Sequence, residues 1–358
     1  MEKSKPKKSN IKLWFVTYNI EYQPVDQMAG GWLEDELVNA GEDTPDFVAI
    51  GMQEALWRGG GKGHAGLGKY IIVETELPYK RIKIEGVERW RTTGSTKVKK
   101  GLNCQSLELL KHDKSQCSVK VKQAKALDLG GLLQKVKNKV SAGEKGVREM
   151  ICDFTSPDKK EVRVFIETAH LNTNEQPQEL KGYLKKINER VDKKKWKGDV
   201  AFLMGDLNFR LSPNLTSKGE LDVKEMLTKA QLDELWKMDT LNHVLKGFKW
   251  KFPNFTKGTL PTYKLKYKGN RNDHYQNRRN LNTLNSETLK QTYSILTEES
   301  EKKRKVGDYP VVELGWLDRI GYKIYNRNIK VNMRSLESRT DAMGADHLPV
   351  IMKCDIEF

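Results

Sequence analysis

The stretch Val200-Ala-Phe-Leu-Met-Gly-Asp-Leu-Asn-Phe-Arg210 decides how this chain is read. Val200 to Met204 form an apolar run with the length and composition of a buried strand. The run stops at Gly205, and two polar side chains follow, Asp206 and Asn208. Alternate residues of an extended chain point the same way, so these two leave the strand end side by side. A carboxylate beside an amide at a strand mouth can hold a water and take its proton. A plain turn after a strand has the same composition, and the stretch alone does not choose between the two.

Working outward, polar clusters follow or precede several other apolar runs. Thr17-Tyr-Asn-Ile-Glu21, Gly51-Met-Gln-Glu54 and Thr168-Ala-His170 end strands expected over residues 11–20, 46–53 and 161–171. Trp316-Leu-Asp-Arg319 opens a strand over 319–325, and Ala345-Asp-His-Leu-Pro349 precedes one over 347–354. Each has a bland reading. Asn19 can cap a turn, Glu54 can be a surface carboxylate, and His170 can be a satisfied core histidine. Strand ends on one side of a sandwich converge on one cleft, so the clusters are read together.

Helical spacing of Leu180, Leu184, Ile187 and Val191 predicts a helix over 178–192 with lysines outward, and 31–40 reads as a short amphipathic helix. Strands outnumber helices. The expected architecture is a four-layer α/β sandwich, two central mostly antiparallel sheets flanked by helices. Residues 1–10 are expected to be a disordered basic tail and 11–358 one catalytic domain. Two lysine- or asparagine-rich stretches, 97–143 and 268–305, read as surface insertions, with a helix conceivable over 127–140.

The 358 residues carry 64 Lys and Arg against 48 Asp and Glu, a net charge of +16 that favours anionic partners. Four spaced cysteines indicate neither a zinc site nor a disulfide framework. No apolar run has the length of a membrane span and no secretory signal is expected, so the expected location is cytoplasmic. Lys- and Asn-rich composition suits a compact microbial protein acting in another cell's cytosol.

The chemistry such clusters support is metal-assisted phosphoester hydrolysis. Glu54 and Asn19, with Asp346 as a third, supply hard oxygens for one Mg²⁺. Asp206 takes the proton of a water that Asn208 orients. His347 and His170 donate to phosphoryl oxygens as charge builds, and Asp318 fixes the tautomer of His347.

These residues resemble the inositol polyphosphate 5-phosphatase family, within the endonuclease/exonuclease/phosphatase superfamily, whose fold is DNase I-like. Gly205-Asp-Leu-Asn-Phe-Arg210 matches the family's first signature almost fully, and Trp316-Leu-Asp-Arg-Ile320 the core of the second. Pro261-Thr-Tyr-Lys264 is similar to the element that sets this family apart from nucleases. Gln53-Glu54, His170-Leu171 and Asp346-His-Leu-Pro-Val350 also agree, and Gly143-Glu-Lys-Gly146 and Ser300-Glu-Lys-Lys-Arg304 agree less fully.

The resemblance implies that Glu54 binds Mg²⁺ with Asn19 close by, and that Asp206 is the general base with Asn208 as its partner. It implies that His347, oriented by Asp318, contacts the scissile phosphate. Lys264 and Arg319 would hold the neighbouring 4-phosphate, with Tyr263, Lys145, Lys302 and Arg304 as further phosphate contacts. The implied substrates are phosphoinositides or soluble inositol polyphosphates, met by a monomer at an anionic membrane. Loops 57–67 and 250–260 either dip into headgroups or belong to the core. Nucleic acid is not the expected partner. A same-fold phosphodiesterase, nuclease or sphingomyelinase-like, and a silent phosphoinositide-binding module are the alternatives. The chain departs from the family pattern where Val312-Glu-Leu-Gly315 replaces the usual lead into the second signature, at Leu317, where the family has cysteine, and at Glu144, where it has asparagine.

Overall fold

The computed structural model describes residues 9–20, 25, 27–56, 67–82, 103–128, 146–171, 182–185, 188–189, 191, 197–212, 225–227, 229, 231–245, 249–255, 259–263, 265, 293, 304–306, 309–311, 314–342 and 345–358. The strands are β1 (Asn10–Asn19), β2 (Phe47–Leu56), β3 (Tyr79–Arg81), β4 (Asn103–His112), β5 (Ser118–Asp128), β6 (Gly146–Thr155), β7 (Glu161–His170), β8 (Val200–Asp206), β9 (Arg304–Val306), β10 (Tyr309–Val311), β11 (Asp318–Ile324), β12 (Lys330–Ser338) and β13 (Val350–Glu357). Helices α1 (Gln27–Val38), α2 (Leu67–Val73), α3 (Leu232–Lys237) and α4 (Thr240–Val244) join them.

Two large sheets result, a six-stranded one in the order β12-β13-β1-β2-β4-β3 and a five-stranded one in the order β11-β8-β7-β6-β5, beside a two-stranded antiparallel ribbon of β9 and β10. β1/β2 and β7/β8 pair in parallel, and the other neighbours run antiparallel. The sheets pack face to face. Leu13 and Phe15 of β1 meet Phe202 and Met204 of β8 in one buried cluster, and the rings of Phe15 and Phe202 stack with centroids 4.1 Å apart. The alternate residues Trp14 and Val16 bury against Trp32, Leu33 and Leu37 of α1 on the far side of the same sheet. Both faces of β1 are covered, which is why it reads as an unbroken apolar run. The five-stranded sheet is covered on its outer face in the same manner, with Phe165 and Leu203 packing on Leu184, Leu241 and Val244. The four-layer DNase I-like sandwich expected from the sequence is the fold.

Several boundaries shift. Within 97–143, residues 103–128 are not a surface insertion, since β4 lies inside the six-stranded sheet and β5 closes the edge of the other. Their many lysines hide an alternation in which Leu107 and Leu109 face the sheet-sheet core. Residues 127–128 end β5, and 129–140 lie outside the described residues. Within the second expected insertion, Tyr293 is fully buried and its hydroxyl donates to the Pro261 carbonyl at 2.8 Å. Ser9 and Asn10 are not tail: Ser9 is buried and bonded to Asp158, and Asn10 begins β1, whereas 1–8 lie outside the described residues. Trp250 and Leu260 are core residues, whereas 57–66 lie outside the described residues.

A candidate phosphoryl-transfer site at the strand ends

One row of residues crosses the five-stranded sheet at its mouth. Gly146 pairs with His170, His170 with Asp206, and Asp206 with Asp318. Gly205 makes the row possible. Its φ is +135°, and a Cβ there would fall 1.9 Å from the Ala169 carbonyl oxygen. Glycine alone tolerates this conformation and approach, and it sets the angle at which Asp206 leaves β8.

Asp206 is buried and held on both oxygens. Its Oδ1 accepts from the Asn208 backbone N–H at 3.0 Å, and its Oδ2 accepts from Asn19 Nδ2 at 3.0 Å. Asn19 ends β1 of the other sheet, so the aspartate bridges both layers. His170 Nε2 lies 3.3 Å from Asp206 Oδ2 and 3.6 Å from Glu54 Oε1. Glu54 sits where the pairing register of β2 with β4 slips between Met52 and Ala55, at φ +52°. Asn208, beyond β8, has φ +56°, and its Nδ2 donates to the Leu171 carbonyl at 2.5 Å. Left-handed backbone at non-glycine residues is costly. Two of the three described non-glycine instances fall at this site, as strain gathered at a functional constellation does.

The second half comes from the chain's end. His347 Nδ1 stands 2.7 Å from Asp318 Oδ2, and His347 Nε2 lies 3.7 Å from Asp346 Oδ1. Burial disfavours the charged imidazole, but the Asp318, Asp346 and Asp206 carboxylates outweigh it and push His347 up to about 10. Burial likewise pushes the Asp318 carboxyl above the usual carboxylate range, against the pull of His347.

Thr262, Tyr263 and Leu265 clamp this half together. Tyr263 exchanges two backbone hydrogen bonds with Gly315, at 3.1 and 2.9 Å. Leu348 N donates to the Thr262 carbonyl, and Leu265 N to the Asp346 carbonyl, each at 2.9 Å. Thr262 Oγ1 accepts from the Asp318 N–H at 3.1 Å. The Tyr263 ring thereby lies 4.6 Å from the His347 ring, with the Arg210 guanidinium 4.7 Å from its centroid.

Asn19, Glu54, His170, Asp206, Asn208, Asp318, Asp346, His347 and Tyr263 therefore gather at one sandwich edge. Arg319 does not. Adjacent strand residues face opposite ways, and with Asp318 turned inward Arg319 points to the outer face. There it is buried, ion-paired with Asp239 and set over the Trp236 ring at 4.4 Å. The expected 4-phosphate contact at Arg319 is corrected on that ground. Lys264, Lys145 and Lys302 lie outside the described residues, as does the side chain of Arg304.

Sequence reasoning passed over a buried polar layer beneath the site. Thr17 Oγ1 donates to Gln53 Oε1 at 3.2 Å, and Gln53 Nε2 donates to Thr168 Oγ1 at 2.9 Å, joining the sheets. Gly51 lets them approach, since a Cβ there would lie 2.5 Å from Thr168 Oγ1. Alternation placed Thr17 and Gln53 on the inner face, and that signal was readable. Asp239 carried no such signal.

The donor set suits a hard cation. Among the described residues no three His, Cys, Asp or Glu side chains close into a metal cage. Mg²⁺ does not require one, since it takes one or two carboxylates and keeps its waters. Glu54 and Asp206, both within reach of His170, offer with the amide of Asn19 oxygen donors and negative charge that a divalent cation would relieve, and Asp346 adds a carboxylate beside His347.

A four-layer sandwich with carboxylates, amides and histidines at its strand mouths defines a protein of the phosphohydrolase and phosphodiesterase class. The sequence profile of Endonuclease/Exonuclease/phosphatase family 2 matches residues 16–281, and the chain belongs to that family. Among solved structures, the Cimex nitrophorin ferrous NO complex is similar in fold, with a TM-score of 0.54 at 15% identity over 98% of this chain and 99% of that one. An endonuclease/exonuclease/phosphatase family protein from Bacteroides thetaiotaomicron has a TM-score of 0.45 at 11% identity, covering 98% and 96% of the two chains. D. rerio TDP2 complexed with single strand DNA product has 0.43 at 10%, covering 96% and 98%. Comparison with curated protein sequences finds no match.

Proposed function

We propose that this protein is a Mg²⁺-dependent phosphatase that removes the 5-phosphate of phosphoinositides such as PI(4,5)P2 and PI(3,4,5)P3, or of soluble inositol polyphosphates. The observation that carries the reading is the seating of Pro261-Thr-Tyr263. This segment, which resembles the element that distinguishes 5-phosphatases from nucleases, is built between Gly315 and Asp346–Leu348 and lays its tyrosine against His347.

In this reading Asp206 takes the proton of the attacking water. Asn19 and the Asn208 N–H fix the carboxylate, so only its protonation changes as the water attacks. His347 offers Nε2–H to a phosphoryl oxygen, and Asp318 keeps the donor proton aimed by holding Nδ1. His170 spans Glu54 and Asp206 and holds their spacing. Glu54 and Asn19, with Asp346, would hold a Mg²⁺, whose charge would offset that on the phosphate and on the leaving oxygen when bound. The +16 charge would draw the protein to the cytosolic face of anionic membranes, at roughly 1 kcal/mol per well-placed Lys or Arg.

The test is phosphate release from a panel of 5-phosphorylated and 5-unphosphorylated inositides with Mg²⁺, beside a plasmid-nicking assay. Release confined to the 5-phosphorylated members supports the reading. Nicking without release would assign the chain to the phosphodiesterases. Liposome binding with no turnover would make it a silent binding module.

A further inference from the structure

Arg319 and Asp239 form a buried ion pair, with side chains 2% and 0% exposed, on the face of β11 opposite the site. Arg319 Nη2 meets Asp239 Oδ2, and Arg319 Nε donates to the Trp316 carbonyl. The guanidinium is roofed by the rings of Trp236 and Phe255, at 4.4 and 5.6 Å. Burial pulls its pKa down, and Asp239 is the carboxylate that answers the charge. The side chain leaves β11 on the face opposite Asp318 and is shut from solvent there.

What the pair joins is more telling. Asp239 Oδ1 accepts from Leu241 N at 2.8 Å and caps α4. The residues on either side of Asp239 grip the segment that leaves β8. Ser212 N donates to the Met238 carbonyl at 2.8 Å, and both N and Oγ1 of Thr240 donate to the Arg210 carbonyl, at 3.1 and 2.8 Å. That segment carries Asp206 and Asn208. On the other side of the pair, Arg319 follows directly on Asp318, which faces Asp206 across the strand pair and holds His347.

We propose that the Asp239–Arg319 ion pair is a positioning device that locks the Asp206–Asn208 segment against the strand bearing Asp318, and that Arg319 touches no substrate. The proposal rests on the phosphatase reading for its kinetic readout and on a histidine resonance for a readout free of it. Removing one partner strands a buried charge, whereas an apolar replacement of both is often neutral for stability.

The experiment compares the full-length parent with the double variant Arg319→Met/Asp239→Leu. Thermal unfolding is followed, together with kcat and KM on one inositide bearing the 4-phosphate and one lacking it, and the NMR signal of the His347 Nδ1 proton. The expected result is a cooperative melt, a kcat at least about tenfold lower on both substrates with KM nearly unchanged, and a shifted or lost His347 resonance. A preserved kcat with an unmoved resonance would overturn the proposal. A KM rise confined to the 4-phosphorylated substrate would overturn it too, by returning Arg319 to the phosphate. If the parent hydrolyses neither substrate, the phosphatase reading falls, and the resonance alone decides the positioning. If the double variant does not fold, Arg319→Lys carries the test, since it keeps the charge and loses the planar fork. The same fall in kcat supports the lock, and an unchanged kcat with an unmoved resonance refutes it.

Discussion

Asp318 Oδ2 lies 2.7 Å from His347 Nδ1, and the same aspartate is the cross-strand neighbour of Asp206. One carboxylate thus links the two halves of the site. Asp318→Asn would keep the shape and change what His347 Nδ1 meets, leaving the ring free to present the wrong nitrogen to substrate. The expected loss is about 10²- to 10³-fold in kcat. Combined with His347→Ala it should add less than about threefold to the single loss, because residues acting as a unit are non-additive. Steady-state kinetics on the two singles and the double decide it, and independent, multiplying losses would refute the linkage.

Asp206→Asn removes the proposed base while keeping an acceptor for the Asn208 N–H. The rate should fall by two decades or more, as loss of a positioned base does. Substrate binding should survive, so a catalytically dead protein that still binds 5-phosphorylated vesicles is the expected outcome. A variant with near-parent turnover would move the base elsewhere.

Much of this arrangement was legible beforehand, and the reason is geometric. Buried strands announce themselves as apolar runs, and Gly205-Asp206 or Gln53-Glu54 mark where a run meets the cleft. Arg319 was misplaced although the means to place it were at hand. It directly follows Asp318, and one strand cannot send both side chains into one pocket. β4 and β5 escaped for another reason. Lysines such as Lys111, Lys120 and Lys122 dilute their apolar signal, and each strand is recognised only once its partner is known. The Asp239–Arg319 contact joins residues far apart in sequence, and no local pattern announces it.

Gly205→Ala and Gly41→Ala form an internal comparison. Both glycines have positive φ, but a Cβ at Gly41 meets nothing within 4 Å, whereas at Gly205 it would strike backbone. Gly41→Ala should cost about 1 kcal/mol and Gly205→Ala roughly 3 kcal/mol or more. Denaturant melts measure both, and equal costs would show that the strand mouth relaxes around the methyl group.

Asp153 supplies a pH dependence away from the site. Burial works to raise its carboxyl, but Arg163, bonded to both oxygens at 2.6 and 2.9 Å, and Lys122 at 3.2 Å outweigh it and hold it below the usual value. A folded-state pKa below the unfolded one means stability that is present above the unfolded value, near 3.9, and lost as pH falls through the folded value. Asp153→Asn should therefore cost about 1–3 kcal/mol at pH 7. The gap to the parent should narrow as the pH drops below about 4. A gap that widens on acidification would contradict the sign.

Glu54→Gln tests the metal without relying on turnover. Glu54 is held at φ +52° beside Asp206, with His170 spanning the two carboxylates. Without Mg²⁺, neutralising Glu54 removes like-charge repulsion, so the variant should melt no lower than the parent. With Mg²⁺ at a hundred times its dissociation constant, the parent should gain about 2.7 kcal/mol by linkage. Loss of the ligand should weaken Mg²⁺ binding at least about tenfold, so the variant at the same concentration gains correspondingly less. Chelation should abolish the parent's gain and its phosphate release together. Equal Mg²⁺ shifts in the two proteins would show that the cation sits elsewhere and would take Glu54 out of the proposed metal set.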